Sequence, residues 1–156
     1  MIALDVAAAL FFGSLVGHGV HYALHQPWSG RAHKGHMEHH EVLYPPSKLV
    51  SSTYRAPNFW NSGTFLFTPP LLGVMVVALL LGASVAFCIT ITAWAFLNDM
   101  VHDAFHVNKP GLQRWKWYRT MRHRHFHHHR DTQSNYGIVT NVWDRCFRTL
   151  RLNQSR

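Results

Sequence analysis

Cysteine is scarce in this chain. Its 156 residues include two, Cys88 in an apolar run and Cys146 in a polar one. They make neither a disulfide framework nor a CxxC pair, so both read as reduced thiols. Carboxylates are scarce too, seven Asp and Glu against fifteen Lys and Arg. No HExxH occurs, which removes the zinc-hydrolase pattern of paired histidines beside a general-base glutamate. Haem and flavin motifs are missing, and the length leaves no room for a redox module beside one domain spanning 1–156. Any redox chemistry therefore draws its electrons from outside. Lys and Arg are also missing from two long stretches, Met1–His25 and Asn61–His106. A pI near 10.1 would ordinarily raise nucleic acid as a partner. With long apolar runs in the same chain, the basic excess suits anionic lipid headgroups and an acidic protein partner, and no nucleic-acid partner is expected.

What the chain has in excess is histidine, fourteen residues in four groups. They are His18/His21/His25, His33/His36/His39/His40, His102/His106 and His123/His125/His127/His128/His129. Residues at i, i+3 and i+4 share a helix face. HxxxH at His21/His25 and His102/His106, and HxxHH at His36/His39/His40 and His125/His128/His129, should each aim their imidazoles at a common point. Neutral imidazole binds iron, zinc, copper and nickel. Ten such ligands are too many for one ion and about right for two. A dinuclear metal site is the central expectation.

The apolar runs speak for a membrane. Ile2–Ala23 is long enough to cross a bilayer core, which takes about 20 helical residues. No basic residue precedes it and cleavage would cut beside the first histidines, so an uncleaved helix is expected rather than a signal peptide. Gln26–Trp60 is polar, and Pro45-Pro46 should end any helix after Tyr44. Phe65–Leu97 is apolar for 33 residues, interrupted by Pro69-Pro70 and Gly82-Ala83-Ser84. One span there would put the first two histidine groups across the membrane from the last two. A hairpin turning near Gly82 brings them together, with its first arm starting around Phe59-Trp60 and its second running past Asp99 to carry His102 and His106. Four Lys and Arg lie between Gln26 and Trp60 and eleven between Val107 and Arg156. That is the positive-inside pattern for three spans with both polar segments cytoplasmic.

The expected fold is all-α: an integral membrane bundle of about three transmembrane helices, one plus a hairpin, under a cytoplasmic His-rich helical cap. In Gly111–Met121, Trp115, Trp117 and Tyr118 alternate with Arg114, Lys116 and Arg119, a mixture suited to anionic lipid headgroups. Val139, Val142, Trp143, Cys146, Phe147 and Leu150 recur at helical spacing, predicting an amphipathic helix over Val139–Leu150.

The order HxxxH, HxxHH, HxxxH, HxxHH has a family likeness. HYALH (21–25), HMEHH (36–40), HDAFH (102–106), HFHHH (125–129) and NYGIVTNVWDRCFRT (135–149) together resemble the fatty acid hydroxylase/sterol desaturase superfamily of membrane di-iron oxidases. GHMEHHEVLYPPSKL (35–49) and NDMVHDAFH (98–106) are most similar to the fatty acid hydroxylase branch. HDAFH is also similar to the small carotenoid hydroxylases, whose first and third boxes are spaced HxxxxH instead.

The resemblance implies metal ligands at His21, His25, His36, His39, His40, His102, His106, His125, His128 and His129. His18, His33, His123 and His127 fall outside the boxes and are expected in supporting roles, with His18 the best placed to be a further ligand. Asp99 and Asp103 either accept the second N–H of a ligand histidine or are plain polar residues at a helix end. The resemblance further implies two iron ions (zinc being a possible substitute in purified protein), O2 as cosubstrate, a lipid substrate from the bilayer, and an external electron donor. A ferredoxin or a b-type cytochrome with its reductase would dock on the basic face around Arg114–Arg130. The implied reaction is hydroxylation of an unactivated lipid C–H bond. Carotenoid hydroxylation or sterol or lipid desaturation within the superfamily, and non-catalytic metal binding in a membrane, are the competing readings.

Overall fold

The computed structural model describes residues 2–55 and 66–152. Among them every regular element is helical, and the strand-like contact is an isolated bridge between Ser51 and Val107. Helix α1 spans Ile2–Leu24. After a 3-10 turn at Pro27–Ser29, α2 (Arg31–Glu38) runs into a π-helical turn over His39–Leu43. Helices α3 (Thr68–Leu80) and α4 (Val85–Phe105) form a hairpin. Helix α5 (Lys116–His128) and the single turn α6 (Val142–Cys146) follow.

Helix α1 buries a narrow face of small residues. Ala9, Gly13, Gly17 and His21 recur every fourth position and are buried, while Leu4, Phe11 and Phe12 point outward. The small side chains let α4 come close: a Cβ on Gly13 would lie 2.8 Å from Cδ1 of Trp94. Helices in bilayers associate through such close approach, because burying one apolar surface against another gains little over lipid. Both α1 and α4 are long and apolar enough to cross a membrane. The 13 residues of α3 reach only about 20 Å at 1.5 Å per residue.

The hairpin turns where its glycine predicts. Gly82 has φ of +82°, a left-handed conformation that side chains disfavour. Ser84 then caps α4 by accepting from the Phe87 N–H at 3.2 Å, and its hydroxyl donates to Asp5 at 2.7 Å, tying the turn to the start of α1. The expected start of the first arm near Phe59-Trp60 lies outside the described residues. Leu66 and Phe67 are non-helical, and α3 begins at Thr68 with Pro69 and Pro70 in its first turn.

Asp99 stabilises that beginning. Buried within α4, it accepts from the Phe67 and Thr68 N–H groups, each at 2.9 Å, and from the Thr68 hydroxyl. Orphan N–H groups and the helix dipole both favour a carboxylate at this place.

Two expectations change at the other end of the chain. The helix predicted over Val139–Leu150 is one turn long. The Thr149 and Leu150 N–H groups both donate to the Asp144 carbonyl, and Arg148 takes φ of +60°, so the chain leaves the helix there. Trp143 still docks on α1, donating to Ser14 Oγ at 3.0 Å, but Val142, Cys146 and Phe147 stay exposed. Tyr118 does not join Trp115 and Trp117 at the surface. Its hydroxyl turns inward and donates to the Ala104 carbonyl at 2.6 Å, while Arg122 Nε donates to the Phe105 carbonyl at 2.8 Å. These two side chains bind carbonyls in the last turn of α4.

Candidate metal centre

The four histidine boxes meet at the ends of α1 and α4. One group is His21, His25, His36, His40 and His128; the second is His39, His106, His125 and His129. Within each group one nitrogen of every ring lies within 4.8 Å of the others, and all but His25 are buried. His102 stands beside the second group, its ring centroid 4.9 Å from that of His39 and 4.8 Å from that of His125. Both its nitrogens are buried without a hydrogen-bond partner.

The HxxHH boxes do not aim at one point, as the spacing rule predicted. They divide. Each residue turns a helix by about 100°, so i+3 and i+4 leave the axis about 100° apart, on either side of i. His36 and His40 therefore enter the first group and His39 the second. In α5 the division is reversed: His125 and His129 enter the second group and His128 the first. Each box supplies both groups and holds them side by side.

Backbone carbonyls set the tautomers. Nδ1 of His21 lies 2.6 Å from the Tyr136 carbonyl, Nδ1 of His128 2.6 Å from that of Ser134, Nδ1 of His106 2.9 Å from that of Leu49, and Nδ1 of His129 2.9 Å from that of Tyr44. A carbonyl can only accept, so each Nδ1 carries the hydrogen and each Nε2 a free lone pair. Those lone pairs converge. Nε2 of His106 and of His129 lie 2.8 and 3.2 Å from Nε2 of His125, which has at most one hydrogen to give. In the first group, Nε2 of His25 is 2.9 Å from Nε2 of both His128 and His36. Nε2 of His21 and of His39 is buried with no partner. Converging lone pairs repel one another unless a cation lies among them, so the donor set fits a metal ion in each group.

The imidazoles are neutral. Burial first, and neighbouring histidines second, hold His36, His39, His40, His106, His125 and His128 well below the ordinary 6.5. The same causes bring His25 down to about 2 and His129 to about 3.

A family model described as fatty acid hydroxylase matches residues 6–149, a stretch that includes both histidine groups. The chain belongs to the fatty acid hydroxylase family. Comparison with curated proteins and with solved structures gave no match. The family is one of oxidoreductases, and its four-box pattern here builds two adjoining nitrogen-lined sites rather than one.

The residues expected around the boxes take varied places in this family member. His33 gives its Nδ1 to the Leu24 carbonyl at 2.9 Å, closing the end of α1. His127 Nδ1 accepts from Asn135 Nδ2 at 3.4 Å, and His123 lies on the exposed face of α5. Asp103 Oδ1 lies 3.8 Å from His102 Nδ1, beyond hydrogen-bond reach. The carboxylate of Asp99 is engaged at the start of α3. His18 sits outside both groups, with Nε2 3.4 Å from Asp144 Oδ1 and its ring against Tyr136 and Phe147.

Asp144 was not foreseen. Fully buried, it accepts from the N–H groups of Tyr136 and Gly137, from Asn141 and from Thr149, at 2.7 to 2.9 Å. Burial pushes its carboxyl up, but bonds from His18, Asn141, Thr149 and the Gly137 N–H outweigh that and hold it well below the ordinary 3.8. It thereby shapes the 134–137 turn, whose Ser134 and Tyr136 carbonyls orient two histidines of the first group. Gly137 is required in that turn, since a Cβ there would meet the Thr140 carbonyl at 2.0 Å. Tyr44 does the equivalent for the second group. Its carbonyl holds His129, its ring lies 4.1 Å from that of His106, and its hydroxyl accepts from the Arg55 N–H at 2.6 Å.

Proposed function

We propose that this chain is an O2-dependent di-iron membrane oxidase that hydroxylates an unactivated C–H bond of a lipid, a fatty acid or fatty acyl chain. The observation that carries this reading is the pair of adjoining sites built from neutral, buried imidazoles with their lone pairs turned inward. The balanced reaction is R–H + O2 + 2 electrons + 2 protons to R–OH + H2O. Bound iron would supply the reductive activation of O2, which no side chain can perform.

The residues of this chain hold, orient and shield. His21, His25, His36, His40 and His128 would hold one ion; His39, His106, His125 and His129 would hold the other, with His102 beside them as a further ligand. The carbonyls of Tyr136, Ser134, Leu49 and Tyr44 keep four of these rings in the ligating tautomer. Phe67, Phe105 and Tyr44, all buried, pack against His21, His125 and His106 and keep bulk water away.

A cavity of about 740 Å³ beside the second group gives a hydrocarbon chain a place to lie. Leu97, Met100, Val101 and Ala104 of α4 line one wall, and Tyr54 separates it from His39, its hydroxyl 3.5 Å from His39 Nδ1. Leu97 and Met100 also face outward from a helix able to cross the membrane, so a lipid can reach the cavity sideways. In this reading the chain spans the membrane three times, with α3 as a short arm. Both basic segments and both histidine groups are cytoplasmic. An electron donor, a ferredoxin or b-type cytochrome, docks on the basic face around Arg114–Arg130.

Mass spectrometry of total lipids from cells expressing the chain, beside cells expressing His39→Ala/His128→Ala, tests the reaction. A lipid that gains one oxygen only with the intact chain is the expected result. Loss of two hydrogens instead would make the chain a desaturase. No altered lipid, with a working donor present, would remove the enzymatic reading.

A further inference from the structure

Behind α5, on the side away from both metal groups, lies a second cavity of about 430 Å³. Arg119, His123, Arg124, His127, Arg151 and Leu152 line it. Three guanidinium groups, those of Arg119 and Arg151 on exposed residues, gather around this space and make it electropositive.

The seven Asp and Glu side chains all lie within the described residues, and none of them lines the cavity. Asp5 is bound to Ser84 at the far end of α1, Asp99 to the start of α3, and Asp103 lies beside His102. Glu38 and Glu41 are on the α2 segment, and Asp131 accepts from the Gln133 N–H. Asp144, the nearest to Arg124 by its influence, has both oxygens taken by N–H and hydroxyl donors.

The arginines are instead set in place by neutral partners. Arg119 donates to the Gln113 and Arg114 carbonyls at 2.7 and 3.0 Å. Arg124 donates to Asn141 Oδ1. The backbone of Arg151 is clamped on both sides by Asn135: its N–H donates to Asn135 Oδ1 at 2.9 Å, and its carbonyl accepts from Asn135 Nδ2 at 3.1 Å. Asn135 itself takes φ of +54°, a strained conformation that this clamp maintains. Positioned arginines without carboxylates are the usual makings of a phosphate site, because the guanidinium fork matches phosphate oxygens.

Among the residues that line the cavity Leu152 is apolar, and it is exposed. An apolar side chain beside three arginines, in a chain with two helices able to cross a membrane, favours an anion that carries a hydrocarbon chain.

We propose that this cavity is a binding site for the phosphate of an anionic phospholipid, with Arg119, Arg124 and Arg151 receiving the phosphate and Leu152 meeting the first carbons of its chains. The site uses the membrane placement of the proposed function but not its chemistry. Arg114, Lys116 and Arg130 remain for the electron donor.

Native mass spectrometry of the full chain, released from detergent with equal amounts of phosphatidylglycerol and phosphatidylcholine, measures it without turnover, so an inactive protein leaves the test intact. The wild-type chain should retain one phosphatidylglycerol in preference to phosphatidylcholine. Arg151→Gln, whose side chain is exposed, should retain it about tenfold less, the loss of one charge-assisted bond, with an unchanged melting temperature. Arg114→Gln should retain it as the wild type does. Equal retention of the two lipids, or full retention by both Arg151→Gln and Arg124→Gln, would overturn the proposal. Displacement of the lipid by millimolar inorganic phosphate would show a free-anion site and overturn the lipid assignment. Loss of reduction by a ferredoxin in Arg151→Gln, with lipid retention intact, would give the cavity to the donor instead.

Discussion

A histidine becomes a ligand only when its other nitrogen is spoken for. Four rings here are committed by backbone carbonyls, and a carbonyl leaves no mark in a sequence. The imidazoles were therefore legible from their spacing, while Tyr44, Leu49, Ser134 and Tyr136, which orient them, were not. Asp144 stood within the W-D-R segment of the family pattern, yet only folding reveals that it organises the turn carrying Ser134 and Tyr136. Replacing it with Ala leaves several buried donors unsatisfied and should cost about 3 kcal/mol or more, with loss of bound metal; a melting curve and metal analysis in detergent check both. The neutral imidazoles also make stability depend on pH. In the metal-free unfolded chain they take protons near 6.5, whereas the folded chain refuses them until far lower. Below pH 6.5 the unfolded state binds more protons, so stability present above that value is lost as pH falls through it. Metal-free protein should melt lower at pH 5.5 than at pH 7.5. An unchanged melting temperature would mean that the rings are hydrated rather than buried.

Helix geometry decided what the boxes could do. The period that puts i and i+4 on one face also sends i+3 to the other side, and this divides each HxxHH between two sites. The rule was available from sequence, but which side faces which partner depends on the neighbouring helices. The hairpin was readable because Gly82 offered a turn and the four histidine groups could meet only if the chain came back. The predicted length of the last helix was wrong because apolar spacing cannot register a carboxylate and a carbonyl of one residue, Asp144, competing for the surrounding N–H groups. At this scale Asp99→Ala should uncap α3 and cost about 1–2 kcal/mol, while Asp99→Asn, which keeps an acceptor, should cost less. Comparing the two melting temperatures separates the cap from the charge. Gly13→Leu should drive α1 off Trp94 and weaken the α1–α4 contact, seen as a lower melting temperature and loss of metal, with Gly19→Leu, which faces open space, as the control.

Across the whole molecule, charge and histidine lie on the same parts of the chain, and the membrane reading follows from that agreement. Cys146 is exposed and Cys88 buried, so a membrane-impermeant maleimide should label Cys146 in inverted vesicles and not in intact cells. Labelling in intact cells would reverse the proposed orientation. The account stands or falls on two metal positions in one chain. Iron analysis with Mössbauer spectroscopy, on protein produced with enriched iron, measures this most directly. The account predicts two irons per chain, magnetically coupled, with His128→Ala depleting the first position and His39→Ala the second, so that the coupling is lost in either. One iron per chain, or two uncoupled irons of unchanged spectrum in both variants, would contradict it.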